Sequence, residues 1–189
     1  MIKSCKNTLS FIKRNIPKAS RFVKNKCYIT LIRPKAEYAS PVWDPYYKVH
    51  IDNIEKIQKS AARYVSNNYV MESGNSAANL KTLGWDTLEE RRLQTKLSIF
   101  QKGRLGDIDI PTDHLILKTR QTRRGGDGPI YQREFSSIDG HIYSFYPSTA
   151  RLWNNLPLDL RLCTKSDSFA NKLKTLNLSD LRRSLRSID

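Results

Sequence analysis

The stretch Val49-His50-Ile51-Asp52-Asn53-Ile54-Glu55-Lys56-Ile57-Gln58-Lys59-Ser60-Ala61-Ala62-Arg63-Tyr64-Val65 decides the fold class. Ile51, Ile54, Ile57, Ala61, Tyr64 and Val65 recur at the three- and four-residue spacing that gathers side chains on one side of a helix. Lys56, Lys59 and Arg63 fall on the opposite side, and Glu55 stands one turn before Lys59, the spacing of an i,i+4 ion pair. Asn67-Asn68 stops the pattern. A helix with one apolar face needs other helices to cover it, so the chain is predicted to be mainly α, a helical bundle at its core.

Upstream, residues 8–16 read as a short helix that Pro17 closes or kinks. Residues 18–32 read as a second helix, with Ala19, Phe22, Val23, Cys27 and Leu31 on an apolar half and Lys18, Arg21, Lys24 and Asn25 on a polar half, ended by Pro34. Lys26 falls near the apolar side. Residues 37–45 form an aromatic turn rather than a strand. Downstream, 76–83 is a short helix before Gly84-Trp85. Thr87 is then an N-cap whose capping box Glu90 completes, and the helix behind it uses Leu93, Leu97 and Phe100 and ends near Gly103.

Gly and Pro then punctuate the chain around Arg120, Arg123 and Arg124. The expected organisation is a helical module over 1–103, an irregular basic linker over 104–135, and a small mixed C-terminal subdomain over 136–189. In that last part, 130–146 carries the β-branched and aromatic alternation of one or two short strands. A short helix opens at Pro147-Ser148 and a last amphipathic helix covers 166–176.

The charge is unevenly placed. Of 33 Lys and Arg against 18 Asp and Glu in 189 residues, ten bases (Lys3, Lys6, Lys13, Arg14, Lys18, Arg21, Lys24, Lys26, Arg33, Lys35) lie in residues 1–36, which hold no acid. The other 153 residues carry 23 bases against 18 acids. Such asymmetry is the footprint of a surface that meets a polyanion, or else a solvated basic face without a specific partner. A mitochondrial presequence fits less well, because Lys outnumbers Arg six to two in residues 1–26 and the basic run merges into apolar helix. Three widely spaced cysteines (Cys5, Cys27, Cys163) form no disulfide framework and no C-x-x-C zinc motif, so the chain is expected inside the cell, in nucleus or cytoplasm. No run of about 18 apolar residues exists to span a membrane.

Catalytic chemistry is poorly supplied. Asp107 and Asp109 are the nearest approach to a two-metal carboxylate set, yet a polar turn before Pro111 explains them better. His50, His114 and His141 lack H-x-x-x-H spacing, no phosphate-cradling glycine motif occurs, and Cys27 and Cys163 read as buried structural thiols. No enzyme, cofactor or metal is expected. Binding chemistry is richer: bases neutralise phosphates, and Tyr28, Tyr38, Trp43, Tyr46 and Tyr47 follow the basic block. Trp43, Trp85 and Trp153 are nonetheless expected to be core anchors.

Five ordered blocks carry a resemblance. Leu9-Ser10-Phe11-Ile12-Lys13-Arg14-Asn15-Ile16, with Leu31-Ile32-Arg33-Pro34-Lys35-Ala36-Glu37-Tyr38-Ala39-Ser40-Pro41-Val42-Trp43-Asp44-Pro45, resembles the region after the palm in reverse transcriptases of non-LTR (LINE-type, jockey-like) retrotransposons. Ile54-Glu55-Lys56-Ile57-Gln58-Lys59-Ser60-Ala61-Ala62-Arg63, then Leu83-Gly84-Trp85-Asp86-Thr87-Leu88-Glu89-Glu90-Arg91-Arg92, and finally Ser144-Phe145-Tyr146-Pro147-Ser148-Thr149-Ala150-Arg151-Leu152-Trp153-Asn154-Asn155-Leu156-Pro157 resemble its following blocks. The likeness runs over nearly all of 8–176. It implies a thumb-like module with the C-terminal extension of an RNA-directed DNA polymerase, lying after a palm whose paired aspartates this chain lacks, since Asp-Asp occurs nowhere in it.

The expected function is therefore non-catalytic binding of RNA or a template–primer duplex through phosphates, largely independent of sequence. Lys13, Arg14, Lys18, Arg21 and Lys24 are the first candidate contacts; Lys56, Lys59, Arg63, Arg120, Arg123 and Arg124 are the second. A missing palm domain or a second copy of the chain are further candidate partners. The alternative is a protein-interaction module, or a decayed retroelement remnant.

Overall fold

A computed structural model describes residues 1–70, 74–111, 128–132, 136–176, 178 and 181. The described residues are mainly helical, as the sequence leads one to expect. They fall into two compact units, Met1–Arg92 and Leu93–Asp189. The division lies ahead of the expected one at 103/104, because Leu93, Leu97 and Phe100 belong to the second core while Leu88 belongs to the first.

In the first unit α1 spans Ile2–Asn15 and buries Cys5, Leu9 and Ile12. It starts six residues before the expected 8–16, since Ile2 and Cys5 continue the same stripe past Lys3 and Lys6. The chain breaks at Ile16, ahead of Pro17, as expected. Next, α2 spans Arg21–Cys27, its first turn capped by Ser20, and runs through a π-helical turn (Tyr28–Ile32) into α3 (Arg33–Glu37). Pro34 therefore does not end this segment. A proline in an α-helix collides with the carbonyl four residues back; here the Arg33 amide reaches the Tyr28 carbonyl across the wider turn, and Pro34 sits in the first turn of α3, where no amide is needed.

The α2 segment keeps Lys18 and Arg21 exposed and Cys27 against the core, as expected, but otherwise turns a different stripe inward from the expected one. Lys24, Tyr28 and Ile32 are buried, whereas Phe22 (68%), Val23 (42%) and Leu31 (46%) are exposed. The cause is tertiary. Lys24 donates from Nζ to Asn67 Oδ1 (2.7 Å) and lies 4.6 Å over the Tyr64 ring, while Tyr28 stacks on Trp85 with centroids 4.1 Å apart.

After α4 (Ser40–Trp43), α5 (Lys48–Ser66) carries the predicted stripe: Ile51, Ile54, Ile57, Ala61, Tyr64 and Val65 are all buried. Asn67 stops it in the left-handed region (φ 51°), and the Asn68 amide returns to the Arg63 carbonyl (3.2 Å). Then α6 covers Asn75–Leu83 and α7 covers Leu88–Leu105. The expected capping box is present: the Glu90 amide donates to Thr87 Oγ1 (3.1 Å) and the Thr87 amide to Glu90 Oε2 (3.2 Å).

Two further groups from α5 converge on that helix end. Glu55 Oε1 accepts from the Glu89 amide (2.7 Å); Gln58 accepts from the Leu88 amide (3.3 Å) and donates to the Asp86 carbonyl (2.9 Å). Glu55 therefore does not pair with Lys59. The free amides and positive dipole end of α7 hold its carboxylate inward. Two consecutive arginines complete the knot: Arg91 pairs with Glu37, and Arg92, fully buried, donates from Nε to Asp44 Oδ1 (3.1 Å) with its guanidinium 5.9 Å over the Trp43 ring. Three of the segments that carry the sequence resemblance thus meet around the start of α7.

The second unit holds the rest of α7 and α8 (Asp139–Ile142), α9 (Phe145–Asn154), α10 (Leu158–Arg161) and α11 (Ser166–Leu173). Helix α7 overruns Gly103, against which Ile110 packs where a Cβ would sit, and stops at Gly106 (φ 77°). Trp153 is the centre: fully buried, stacked on Phe169 (5.6 Å), close to Phe100 (5.3 Å), its Nε1 donating to the Pro129 carbonyl (3.0 Å). The expected short strands do not form among the described residues. Tyr131 makes an isolated bridge, and Asn154 takes both its amide (2.9 Å) and its carbonyl (2.8 Å) as a neighbouring strand would. Within 130–146, residues 139–142 are helical instead.

The buried groups at the start of α7 govern how stability responds to mutation and to pH. Removing Asp44 strands a buried guanidinium, so Asp44→Ala should cost about 3–5 kcal/mol in urea unfolding. Asp44→Ala combined with Arg92→Met should recover most of that loss, and a double variant no better than the single one would refute the pairing. For Glu55, burial raises the carboxyl above its ordinary 4.5, opposed by the Glu89 and Leu88 amides and the Arg92 charge. The folded chain then holds this proton more tightly than the unfolded one, so the group's contribution is present below pH 4.5 and fades as pH climbs through the raised value. Glu55→Gln keeps the acceptor and should flatten the dependence of Tm on pH in that interval; an unchanged profile would contradict it.

Candidate nucleic-acid interface

The bases of residues 1–36 have no carboxylate of their own, and the described carboxylates nearest in sequence are engaged elsewhere. Glu37 holds Arg91, Asp44 holds Arg92, Asp52 pairs with Lys48, and Glu55 and Glu90 cap α7. Among the described residues, none of the ten bases of 1–36 forms an ion pair.

The structure gathers part of the predicted set. Lys13, half-buried on α1, donates from Nζ to Ser60 Oγ on α5 (3.0 Å) and lies close enough to Arg63 to feel its charge. Burial first, and then Arg63, lower the Lys13 amine. Two cations are thereby brought together from helices far apart in sequence. Lys56 and Lys59 are exposed on the same side of α5, one turn apart from Ser60 and Arg63, and Lys56 donates to Asn53 Oδ1 (3.3 Å). Cationic side chains in a row along one helix can follow successive phosphates.

Lys18 and Arg21 occupy a different place, at the start of α2. Both are exposed, and Arg21 donates from Nη2 to the Thr82 carbonyl at the end of α6 (2.9 Å), which fixes its direction and leaves further N–H groups outward. Arg14 is exposed near the end of α1. Arg120, Arg123 and Arg124 lie outside the described residues.

Lys24 is a correction. At 2% exposure, held by Asn67 and lying over the Tyr64 ring, its ammonium closes the α2–α5 contact and cannot reach a phosphate. Lys26, which the sequence places near the apolar side, takes the outward position instead, its Nζ 5.4 Å over the exposed Phe22 ring. The signal that could have exchanged them is the spacing of Lys24, Tyr28 and Ile32, an unbroken i,i+4 series; two of its three members are apolar, and the lysine hid it.

Of the aromatic residues after the basic block, Tyr28 is buried and its phenol pushed upward by burial. Trp43 and Trp85 are packed against the first core, with Trp43 Nε1 donating to the Tyr38 carbonyl (2.6 Å) and Trp85 Nε1 to Asn25 Oδ1 (3.2 Å). Tyr38 and Tyr47 are exposed, and Tyr47 packs against Tyr46 at 4.2 Å. Asp107 and Asp109 are both exposed, with Asp107 accepting from the Ser166 hydroxyl. Among the described residues no group of three or more His, Cys, Asp or Glu side chains is placed to hold a metal ion, and no helix is long and apolar enough to cross a membrane. Cys163 is buried, as expected, while Cys27 is half-buried.

Comparison with protein-family models, with curated proteins and with solved structures finds no match to this chain.

The burial of Lys24 separates folding from binding. Lys24→Gln should lower Tm by several degrees while leaving the salt dependence of nucleic-acid binding unchanged, read in parallel by thermal melting and fluorescence anisotropy. A shallower salt slope with Tm unaltered would return Lys24 to the interface.

Proposed function

We propose that the chain is a non-catalytic, thumb-like and post-thumb segment of the non-LTR retrotransposon reverse transcriptase type, and that it binds RNA or an RNA–DNA duplex through the phosphates. The observation that carries this reading is the basic surface of residues 1–36, where the nine bases other than the buried Lys24 form no ion pair with a described carboxylate. A basic surface neutralised by its own acids has little counterion to release; one whose acids are committed to internal pairs keeps that driving force intact. The resemblance carried by the five ordered sequence blocks is what points to a template–primer as the nucleic acid. Catalysis has no place in the reading: the paired aspartates of that enzyme type are absent from this sequence.

The basic side chains divide into two groups. Lys13 with Arg63, beside Lys56 and Lys59, forms the α1–α5 group; Lys18 and Arg21 lie at the start of α2, with Arg14 exposed near the end of α1. Nothing in either group specifies a particular base, so affinity should be nearly independent of sequence.

A salt titration tests the proposal. The logarithm of the binding constant for a 20-base-pair RNA–DNA duplex should fall linearly and steeply with the logarithm of salt concentration. Replacing Lys18 and Lys59, both exposed, by Glu should reduce that slope by about one for each phosphate no longer neutralised. A flat titration, or a Lys18→Glu/Lys59→Glu chain that binds like the parent, would end it.

A further inference from the structure

Helix α2 buries a lysine and exposes a phenylalanine, against the ordinary order of burial. Burying a Phe side chain is favourable, and the first unit forgoes that gain at Phe22. The exposed ring is not isolated. Lys26, one turn on, holds its ammonium 5.4 Å over it; Lys18 and Arg21 precede it, and Val23 extends the apolar surface beside it. No acid lies within residues 1–36 to oppose an approaching anion.

An aromatic face with an ammonium 5.4 Å over it, and two more exposed bases just before it in the chain, fits two components of a single nucleotide. The ring takes the flat face of an unpaired base, and the ammonium takes the phosphate next to it. A duplex offers the second but not the first, because its bases are stacked on one another. An apolar protein segment would find Phe22 and Val23 but would also have to place carboxylates against Lys18, Arg21 and Lys26; the density of positive charge around so small an apolar patch favours nucleic acid.

We propose that the outer face of α2, Phe22 with Lys26 and the flanking Lys18 and Arg21, is a seat for an unpaired base of single-stranded nucleic acid. The proposal rests on the phosphate-binding reading above and adds a strand preference to it. The chain then grips a paired region through phosphates alone, and holds an unpaired stretch by phosphates and stacking together.

The experiment compares three probes on the full chain by fluorescence anisotropy: a single-stranded RNA 12-mer, an abasic oligomer of the same length that keeps every phosphate, and an RNA–DNA duplex. Phe22→Ala should weaken the 12-mer about tenfold, as expected for a single stacked base, and leave the abasic oligomer, the duplex and all salt slopes unchanged. Phe22→Trp should restore or exceed the parent's preference for bases over abasic sites. Because Phe22 is exposed, Phe22→Ala is expected to fold, with a melting curve by circular dichroism that matches the parent's. A Phe22→Ala chain that keeps the parent's affinity for the 12-mer overturns the seat while the duplex arm still upholds phosphate binding. The same result accompanied by loss of self-association in light scattering overturns it in favour of a protein-docking face. A parent chain that binds none of the three probes in a salt-dependent way overturns both readings.

Discussion

The start of α7 is the point on which the first unit depends. A helix presents its first amides without partners and with a partial positive charge, so its N-terminus draws acceptors from whatever packs beside it. Here Thr87 and Glu90 answer locally, and Glu55 and Gln58 answer from α5. The next turn reaches the other way: Arg91 and Arg92 hold Glu37 and Asp44, fixing the segment between α3 and α5. One helix end thus sets the relative positions of α3, α4 and α5 around it.

The chemistry of that knot is uneven. Arg91 and Glu37 keep about a quarter of their side-chain surface in water (29% and 24%), so their pairing is partly screened. Arg92 and Asp44 are dry, at 0% and 3%. Desolvating a guanidinium is costly, and two of its nitrogens, Nη1 and Nη2, find no hydrogen-bond acceptor among the described residues; the carboxylate and the Trp43 face offset only part of the cost. Such a pair contributes little net stability. It specifies instead: sliding the 37–45 turn along α7 would take Asp44 away from Arg92, and the alternative packing would leave a bare buried charge.

What could be read from the sequence was what neighbours in the chain decide. The α5 stripe, the Asn67 stop and the Thr87–Glu90 box all lie within a few residues of the groups they satisfy, and each is found where the spacing puts it. What could not be read depends on groups distant in sequence. Glu55 has Lys59 one turn away but a helix end 34 residues on, and the helix end holds it. Pro34 ends a regular helix but not one that widens to a π-turn just before it. Trp153, by contrast, is a core residue by its size alone, and its burial needed no knowledge of Phe100 or Phe169. For the basic residues, composition located the surface without ranking its members: Lys24 and Lys26 are two residues apart, and Asn67 with Tyr64 decides which of them faces water.

That exchange links the fold to the surface it presents. Turning α2 so that Phe22 pointed inward would carry Lys24 out, detach it from Asn67 and Tyr64, and lift Tyr28 off Trp85. The stacking of Tyr28 and the Lys24 hydrogen bond fix the helix's rotation, and the rotation fixes which aromatic ring meets solvent. Meanwhile the carboxylates that might have neutralised the outer bases are held at the start of α7 and on α5. The same packing that closes the first core therefore leaves positive charge and one aromatic ring together on the outside. The exposed face is a consequence of the buried one, so it persists as long as the core does, and needs no ligand to assemble it.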